Sequence, residues 1–380
     1  MSPPRRILVI AMRYLGDVLL ATPLMRAVRE HYPDCTIEAL VLQGTESMLE
    51  GNPDIAAVHS LPEKPDRGTL GAMVRKLWRR YDIALVTQPG DKPHLLGWAA
   101  APVRYGLVPE KRSQSWWKRL LLTSPLVTDM SLHRVLEGER IARAMGIAQA
   151  RKVVAPAPVQ PPQEWPALHT EASSDRFDPE RPYAVVHPTP RRRYKQWTPQ
   201  GWQALLNWLA ERELQILVTG GPGPGETQYV DTLLQDLPAA TRRVVIRAQG
   251  RLTLAQTAHL LRGARLYVGP DTATTHLAAA CATPTVALYG PTDPRLWGPW
   301  PGDGQAPGWK KAAPVQRRSN VTLLQNPARS CVPCQQEGCD RHRESLSHCL
   351  ETLSIETVLD AVAEHLGHGA PGASVSGGAA

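Results

Sequence analysis

The segment from Gly269 to Pro294, GPDTATTHLAAACATPTVALYGPTDP, decides the fold prediction, because a strand, a polar turn, a helix and a second strand follow one another there. The run RLYVG predicts a buried strand, Asp271 and Thr272 stand where a helix would be capped, and the Ala-rich run to Ala282 predicts a packed helix. Such a helix directs unpaired N–H groups towards the strand ends, which favours phosphate binding. The next strand ends in GPTDP, so both turns should face one ligand.

Composition predicts a globular chain with an anionic partner. With 380 residues and 42% hydrophobic content, the chain can bury a large core, and its length favours two domains. The formal charge of +8 suggests nucleic acid, a nucleotide or a phosphorylated glycolipid at a membrane surface. No apolar run approaches the roughly 20 residues of a membrane span, and ILVIA is too short for a signal sequence, so we expect a cytoplasmic protein.

The first half alternates strands and helices. ILVIA, TIEALV, AAVHSL and IALVTQ read as strands, with helices predicted over 18–32 and 70–80, which is typical of a parallel sheet. Beyond Gly90 the sheet pattern lapses into a basic stretch, RSQSWWKRLLL, and a helix over 133–145. The proline-rich, polar segment 156–182 predicts a linker between two domains.

The second half repeats this rhythm. YAVVHPTP, LQILVTGG and RVVIRA read as strands and 199–212 and 226–234 as helices, followed by the helix LTLAQTAHLLRGA and the opening segment. After Trp297 the chain reads as irregular until a helix over 354–366. The predicted class is α/β, with one domain over 1–165, a second over 183–353, and a disordered tail over 367–380. Two such halves would leave a cleft between the carboxyl ends of facing sheets, where we expect the active site.

Asp17 has two interpretations. It follows the first strand in MRYLGDVLLATP, at a strand-to-helix turn that should line the cleft. A carboxylate there can act as a general base on an acceptor hydroxyl. It can also be an N-cap, which stabilises a helix by roughly 0.5–2 kcal/mol relative to Ala. Position alone favours the cap.

The loop HPTPRRRYKQW concentrates cations after the first strand of the second half. Lys195 suits a phosphoryl oxygen, and Trp197 would anchor the loop end, whereas the three arginines fit a solvated basic loop at least as well. The Gly-rich run GGPGPG matches neither common nucleotide-binding motif. His276, one turn into the Ala-rich helix, is equally consistent with a phosphate or sugar contact and with a packed structural residue.

No simple metal motif is present. DxD occurs nowhere in the chain, so charge neutralisation on a nucleotide sugar would come from protein groups. Four cysteines, Cys331, Cys334, Cys339 and Cys349, can in principle hold one zinc or iron ion. Their last spacing is not that of a common zinc ribbon, which favours reduced thiols without a metal.

Together, ILVIAMRYLGDVLLATP, HPTPRRRYKQW and the opening segment resemble the bacterial lipopolysaccharide heptosyltransferases of glycosyltransferase family 9, and the loop is most similar to the heptosyltransferase III branch. The resemblance covers nearly the whole chain. It implies the GT-B architecture, two Rossmann-like domains facing across a cleft, with the acceptor bound by the first domain and ADP-heptose by the second. Transfer would be inverting and would require no metal or other cofactor.

The resemblance also implies roles for individual residues. Asp17 matches the catalytic base, Lys195 the lysine on the donor phosphates, and Asp271 with Thr272 the start of the donor-binding helix. Ala273 stands where many members have Gly, so the backbone approach to the donor would differ. The full predicted set is Arg13, Gly16 and Asp17 for the acceptor, and Thr189, Lys195, Gly221, Asp271, Thr272, Ala273 and His276 for the donor.

Alternative functions follow from the same residues. One is a family member that modifies a protein acceptor, as relatives with an iron-binding cysteine set do; another is a non-catalytic module that binds nucleotide sugars or glycans. Retention of Asp17 and Lys195 disfavours the module. Nucleic-acid binding is also disfavoured, because the basic residues are dispersed along the sequence and no recognition motif is present. Peripheral contact of SWWKRLLL with the inner membrane is possible, although Trp and Leu at these spacings are more often core.

Overall fold

The computed structural model describes residues 3–149, 151–172 and 175–367. The predicted tail therefore lies outside the described residues, except for Gly367. The first sheet contains six parallel strands in the order β3-β2-β1-β4-β5-β6. They are β1 (Arg6–Ala11), β2 (Thr36–Leu42), β3 (Ala57–Leu61), β4 (Ile83–Val86), β5 (Val103–Val108) and β6 (Ser124–Val127).

Five α-helices accompany this sheet: α1 (Leu15–His31), α2 (Arg67–Leu77), α3 (Asp91–Ala100), α4 (Arg112–Leu121) and α5 (Arg134–Ala144). The helix predicted over 70–80 begins three residues earlier, because the Asp66 side chain accepts a hydrogen bond from the N–H of Thr69 and caps α2.

The predicted lapse of the sheet pattern after Gly90 is wrong, since β5 and β6 extend the sheet. Both strands are partly exposed, and each contains a residue that weakens a strand pattern, Gly106 in β5 and Pro125 in β6. β6 is the edge strand and tolerates Pro125 because one of its sides needs no ladder partner, whereas β5 lies between β4 and β6 and its Gly106 packs closely against Val86. Because β5 and β6 contain fewer apolar residues, the apolar periodicity of the sequence does not indicate these strands.

The second sheet contains seven strands in the order β12-β13-β11-β10-β7-β8-β9, all parallel except for the antiparallel pair β12–β13. They are β7 (Tyr183–Val186), β8 (Gln215–Val218), β9 (Val245–Arg247), β10 (Leu266–Pro270), β11 (Thr285–Leu288), β12 (Val315–Arg318) and β13 (Val321–Leu324). The irregular structure predicted from Trp297 onwards is therefore wrong in part. β13 lies parallel to β11, with a two-residue turn before it, and its four residues are buried.

The helices of this half are α6 (Pro199–Ala210), α7 (Pro224–Gln235), α8 (Ala239–Arg242), α9 (Leu254–Gly263), α10 (Ala273–Ala280), α11 (Pro294–Trp297), α12 (His348–Glu351) and α13 (Ile355–Gly367). The predicted helices over 199–212, 226–234 and 354–366 correspond to α6, α7 and α13. Between the sheets, the described part of 156–182 contains no α-helix and no strand of a sheet, only a short 3-10 turn and isolated bridges. The domain limits stay a prediction.

One buried apolar cluster joins the two halves. It includes Leu19 and Leu24 of α1 together with Leu277 of α10 and Trp300. Because burial of apolar surface contributes about 25 cal/mol per Å², a shared cluster holds α1 and α10 in a defined position. No helix in the described part of the chain is long and apolar enough to cross a membrane.

Candidate active site

Two helix N-termini meet in the cleft between the sheets. α1 follows β1 and α10 follows β10, so both begin at the carboxyl ends of their strands. Gly16 lies against the start of α10: a Cβ atom added at Gly16 would be 3.5 Å from Cδ2 of His276 and 4.0 Å from Cα of Ala273. The first turn of α1 therefore faces the first turn of α10 at van der Waals distance.

Asp17 lies in the first turn of α1, but it is not the N-cap. That position belongs to Tyr14, so the cap interpretation is wrong. The Asp17 side chain is only 12% exposed. Burial raises its pKa above the ordinary value, although Arg13, a hydrogen bond from the Tyr14 N–H, Arg134 and Lys195 all act to lower the pKa. A buried carboxylate with a raised pKa is typical of a proton acceptor in a functional site.

Opposite Asp17, the partly buried Lys195 forms an ion pair with the buried Asp271. Its Nζ lies 2.6 Å from Oδ2 of Asp271, and the Thr292 hydroxyl donates to the same oxygen at 2.5 Å. Burial acts to raise the pKa of Asp271, but Lys195, His276 and Thr292 together outweigh burial and hold that pKa below its ordinary value. Asp271 is thus ionised, and a single cation balances it inside the cleft.

Thr272 caps α10, as the sequence predicts, by accepting a hydrogen bond from the Thr275 N–H. Ala273 is the first residue of the helix. His276 is buried one turn later, with Nε2 at 3.9 Å from Oδ1 of Asp271 and with Nδ1 lacking a hydrogen-bond partner. Burial lowers the pKa of His276 to about 4, so its ring is neutral near pH 7. A neutral imidazole with an unused nitrogen can bind a polar ligand group.

The loop after β7 approaches the same cleft. Trp197 is buried, and its Nε1 donates to the Leu353 carbonyl at 3.1 Å, which anchors the loop end as predicted. The guanidinium carbon of Arg191 lies 5.4 Å from the centroid of the Tyr14 ring, and this contact connects the loop to the start of α1. The buried hydroxyl of Thr189 has no hydrogen-bond partner within the protein.

The glycine run that follows β8, Gly220 to Gly225, packs against the loop that follows β7. A Cβ atom at Gly220 would lie 2.4 Å from the Thr189 hydroxyl oxygen, so only glycine fits there. The Gly221 N–H donates to Glu226 at 2.7 Å, and the Gly221 carbonyl accepts from Gln249 at 2.6 Å. Both backbone groups of Gly221 are therefore already used within the protein.

The sequence predicted Arg13 as an acceptor-binding residue, but it did not reveal Arg134, which forms a cationic pair with Arg13 beside Asp17. Arg13 and Arg134 lie 5.8 Å and 5.2 Å from the centroid of the same ring, that of Trp297. The buried Nε of Arg134 and Oε1 of Gln88 both lack a partner, and both residues line the cavity that contains Asp17. Arg134 stands in a predicted helix with no distinguishing local pattern, so only the packing of the two halves reveals its place.

Comparison with known proteins identifies the family. The sequence profile described as Glycosyltransferase family 9 (heptosyltransferase) matches residues 70–339, well over half of the chain. The chain belongs to glycosyltransferase family 9. A curated relative, lipopolysaccharide heptosyltransferase 3 of Escherichia coli, is 26% identical over 76% of this chain and 84% of its own length.

Solved structures confirm the GT-B architecture of this family 9 glycosyltransferase. E. coli ADP-heptose lipopolysaccharide heptosyltransferase II superposes with a TM-score of 0.70 at 20% identity, covering 96% of this chain and 99% of the other. An E. coli heptosyltransferase with ADP-2-deoxy-2-fluoro heptose gives 0.66 at 19% identity, covering 94% and 99%. The predicted arrangement of two Rossmann-like halves facing across a cleft is therefore correct.

The cysteines of this family 9 chain do not form a metal site in the structure. Over residues 3–149, 151–172 and 175–367, no group of three or more His, Cys, Asp or Glu side chains is placed to hold a metal ion. Cys331 and Cys339 are exposed, whereas Cys349 is buried. Burial, together with the neighbouring thiols, raises the pKa of Cys349 to about 12, which favours its protonated form. The three other cysteines, Cys331, Cys334 and Cys339, therefore lie near Cys349.

Proposed function

We propose that this chain transfers heptose from ADP-L-glycero-D-manno-heptose to the inner core of lipopolysaccharide, with inversion and without a metal ion. One observation carries the proposal: a buried carboxylate on α1 faces a lysine and a helix N-terminus from the other half across one cleft. Names of similar proteins support the substrates, since one structure is named for ADP-heptose and the curated relative for lipopolysaccharide.

Asp17 is the proposed general base. The acceptor oxygen attacks the anomeric carbon and loses its proton to the Asp17 carboxylate, while the bond from that carbon to the phosphate oxygen breaks. A base with a raised pKa accepts a proton more readily than an ordinary carboxylate, and such groups contribute typically 10²–10⁴-fold to rate. Arg13, with Nε at 3.8 Å from Oδ1, acts to lower the pKa of Asp17 and so favours its ionised form.

Lys195 and the start of α10 are the proposed leaving-group stabilisers. ADP leaves with the electron pair of the broken bond, so negative charge develops on its phosphates. The positive end of the α10 dipole and the free N–H groups after Thr272 favour that charge, as does the Lys195 ammonium. Before donor binding, Lys195 is held by Asp271, which orients the ammonium and limits its mobility. These groups supply the positive charge without requiring a metal.

The remaining donor contacts come from neutral groups. We assign the sugar or phosphate oxygens to the Thr189 hydroxyl and the His276 ring, because each is buried with an unpartnered polar atom. Ala273 brings a methyl group to the first turn of α10, where many relatives have glycine, and this methyl should keep the donor slightly farther from the helix axis. Gly221 contributes the shape of the loop, since its backbone groups are already paired.

Arg13 and Arg134 are the proposed acceptor-binding cations. Both lie on the Asp17 side of the cleft, and Arg134 has an unpartnered buried Nε. Arg134 is partly buried, its Nε has no partner, and no carboxylate of the described residues lies within ion-pair distance of it, so an anionic ligand can pair with this cation. Carboxylate or phosphate groups on an inner-core acceptor have this chemistry and can bind a guanidinium through two hydrogen bonds.

Transfer should be tested by ADP release from ADP-heptose in the presence of deacylated core acceptors, with the product identified by mass spectrometry and its anomeric configuration by NMR. We expect acceptor-dependent ADP release, an inverted product and full activity after EDTA treatment and metal analysis. Product formation on a protein acceptor alone would favour the protein-modifying alternative. Tight donor binding with no turnover on any acceptor would favour a binding module.

A further inference from the structure

Large exposed apolar side chains concentrate on one region of the first half. Among the described residues, five of the eight large hydrophobic side chains that are most exposed come from the end of α2, from α3 and from α4. We call them the apolar patch: Trp78 (50% exposed), Leu95 (53%), Trp98 (40%), Trp116 (61%) and Leu120 (76%). A cluster of this kind on a folded domain marks an interaction surface more often than a scattered single residue does.

The patch residues share one outward surface. α3 packs between α2 and α4, and the rings of Trp78 and Trp98 contact edge to face at 5.9 Å. Leu95 and Trp98 are three residues apart on α3, and Trp116 and Leu120 are four apart on α4, so each pair lies on one helix face. The inner faces of α2 and α3 pack on the sheet in a separate buried cluster. The patch therefore faces away from the sheet.

The same region carries the positive charge of the protein. Residues 67–122 contain eleven Lys and Arg against three Asp and Glu, a net of +8, which equals the formal charge of the whole chain. Two of the three carboxylates are already engaged: Asp91 with the buried Lys118 at 2.7 Å, and Asp82 with backbone N–H groups. Seven cations are exposed: Arg67, Arg75, Lys76, Arg79, Arg80, Lys111 and Arg112.

We propose that the apolar patch and its basic surroundings dock on an anionic lipid bilayer. Tryptophan rings prefer the headgroup region, exposed leucines enter the acyl boundary, and each nearby Lys or Arg strengthens binding to anionic lipid. Symmetric pairing with a second copy fits the surface less well, because it would bring two regions of charge +8 together. The inference rests on the proposed function for the lipid-linked acceptor.

The position of the patch suits such an acceptor. α3 begins directly after Gln88 and Pro89, and both of these residues line the cavity beside Asp17. A bilayer held by α3 and α4 would thus lie next to the acceptor side of the cleft. Lipid-anchored substrates would then reach Asp17 without leaving the membrane.

Vesicle flotation of the full chain tests the proposal. We expect binding to phosphatidylcholine vesicles that contain phosphatidylglycerol, weak binding to phosphatidylcholine alone, and weakening by salt. The variant Arg75→Gln/Lys76→Gln/Arg112→Gln should bind on the order of 100-fold more weakly, since each cation near the surface contributes about fivefold. Trp116→Ser/Leu120→Ser should lose on the order of 10-fold or more, because both side chains are exposed and leave no cavity in the core.

Matched controls change the same residue types elsewhere. Arg181→Gln/Arg243→Gln/Arg262→Gln removes three exposed cations that lie outside residues 67–122, and Val159→Ser removes an apolar side chain that is 78% exposed outside the patch. Both should bind vesicles like the unaltered chain. Equal losses in the control and patch variants would overturn the proposal, as would the absence of binding to anionic vesicles.

Two further measurements separate the possible failures. Analytical ultracentrifugation without lipid should show no self-association that depends on Trp116 and Leu120; if it does, the patch is a dimer interface and the membrane proposal is wrong. Transfer to a soluble, deacylated acceptor should be unchanged in the patch variants. Normal vesicle binding without any heptose transfer would refute the proposed function but would leave the membrane-docking proposal intact.

Discussion

Replacing Asp17 with Asn separates catalysis from structure more sharply than any other single change in the cleft. Asn retains the size of the side chain and an oxygen that can accept the hydrogen bond from the Tyr14 N–H, but it cannot take up a proton from a hydroxyl group. If Asp17 is the general base, turnover should fall about 10²–10⁴-fold, which corresponds to about 3–5 kcal/mol of activation free energy.

The effect of this substitution on stability has a predictable sign. The pKa of Asp17 in the folded state is raised above 3.8, because burial outweighs the favourable charges around it. The folded state therefore binds a proton more tightly than the unfolded state, and ionisation above the folded pKa reduces stability. Asn removes that cost at neutral pH. A carboxylate that only interacts with the α1 dipole would instead contribute about 0.3–1 kcal/mol, and its loss would destabilise the protein.

Steady-state kinetics and thermal unfolding measure the two quantities. For the unaltered enzyme, kcat/KM should fall as the pH decreases through the raised pKa of Asp17, since the base must be ionised. His276 should add no limb above about pH 5, because its pKa is about 4. In Asp17→Asn the acid limb should disappear, activity should fall at least 100-fold, and the thermal midpoint at neutral pH should be equal or higher.

A second helix-start carboxylate provides the control. Asp66 caps α2 by accepting from the Thr69 N–H at 2.8 Å, and it is exposed. Asp66→Asn retains a good cap and should leave both turnover and stability nearly unchanged. Turnover in Asp17→Asn within a few fold of the unaltered enzyme would refute the base assignment, even if heptose transfer itself were demonstrated.

Other variants test the rest of the cleft. Lys195→Met should reduce kcat/KM for the donor about 10²–10³-fold. In the double variant with Asp271→Asn, the loss of activation free energy should be smaller than the sum of the two single losses, because the two side chains form one ion pair. Steady-state kinetics of the unaltered enzyme, both single variants and the double variant measures this coupling. Arg134→Met should raise the acceptor KM about 10-fold or more with little change in donor KM, and an acceptor lacking its anionic groups should abolish the difference. Trp197→Ala should lower the free energy of unfolding by about 3–5 kcal/mol in a denaturant titration and weaken ADP binding in calorimetry, since Trp197 anchors the Lys195 loop; unchanged ADP affinity would contradict that link.

Much of the fold could be predicted from local patterns. The β/α alternation and the Thr272 cap both depend on residues within or directly beside one helix or strand. β5, β6 and β13 could not be predicted in the same way, because partly exposed or very short strands carry little periodic signal. The cap interpretation of Asp17, which position alone favours, fails for a related reason: the cap is decided by backbone geometry at Tyr14, which sequence position does not specify.

The sequence by itself determined the class of the protein, the family it resembles and the candidate groups Asp17, Lys195 and Asp271. Hydrogen-bonding residues at helix starts and apolar periodicity are properties of contiguous residues, so they can be read directly. Only the tertiary structure decided that Lys195 pairs with Asp271, that Asp17 is buried enough to have a raised pKa, and that Arg134 lies in the same cavity. Burial and charge pairing depend on how the two sheets face each other. The distance between residues of the two halves cannot be read from a pattern of contiguous residues.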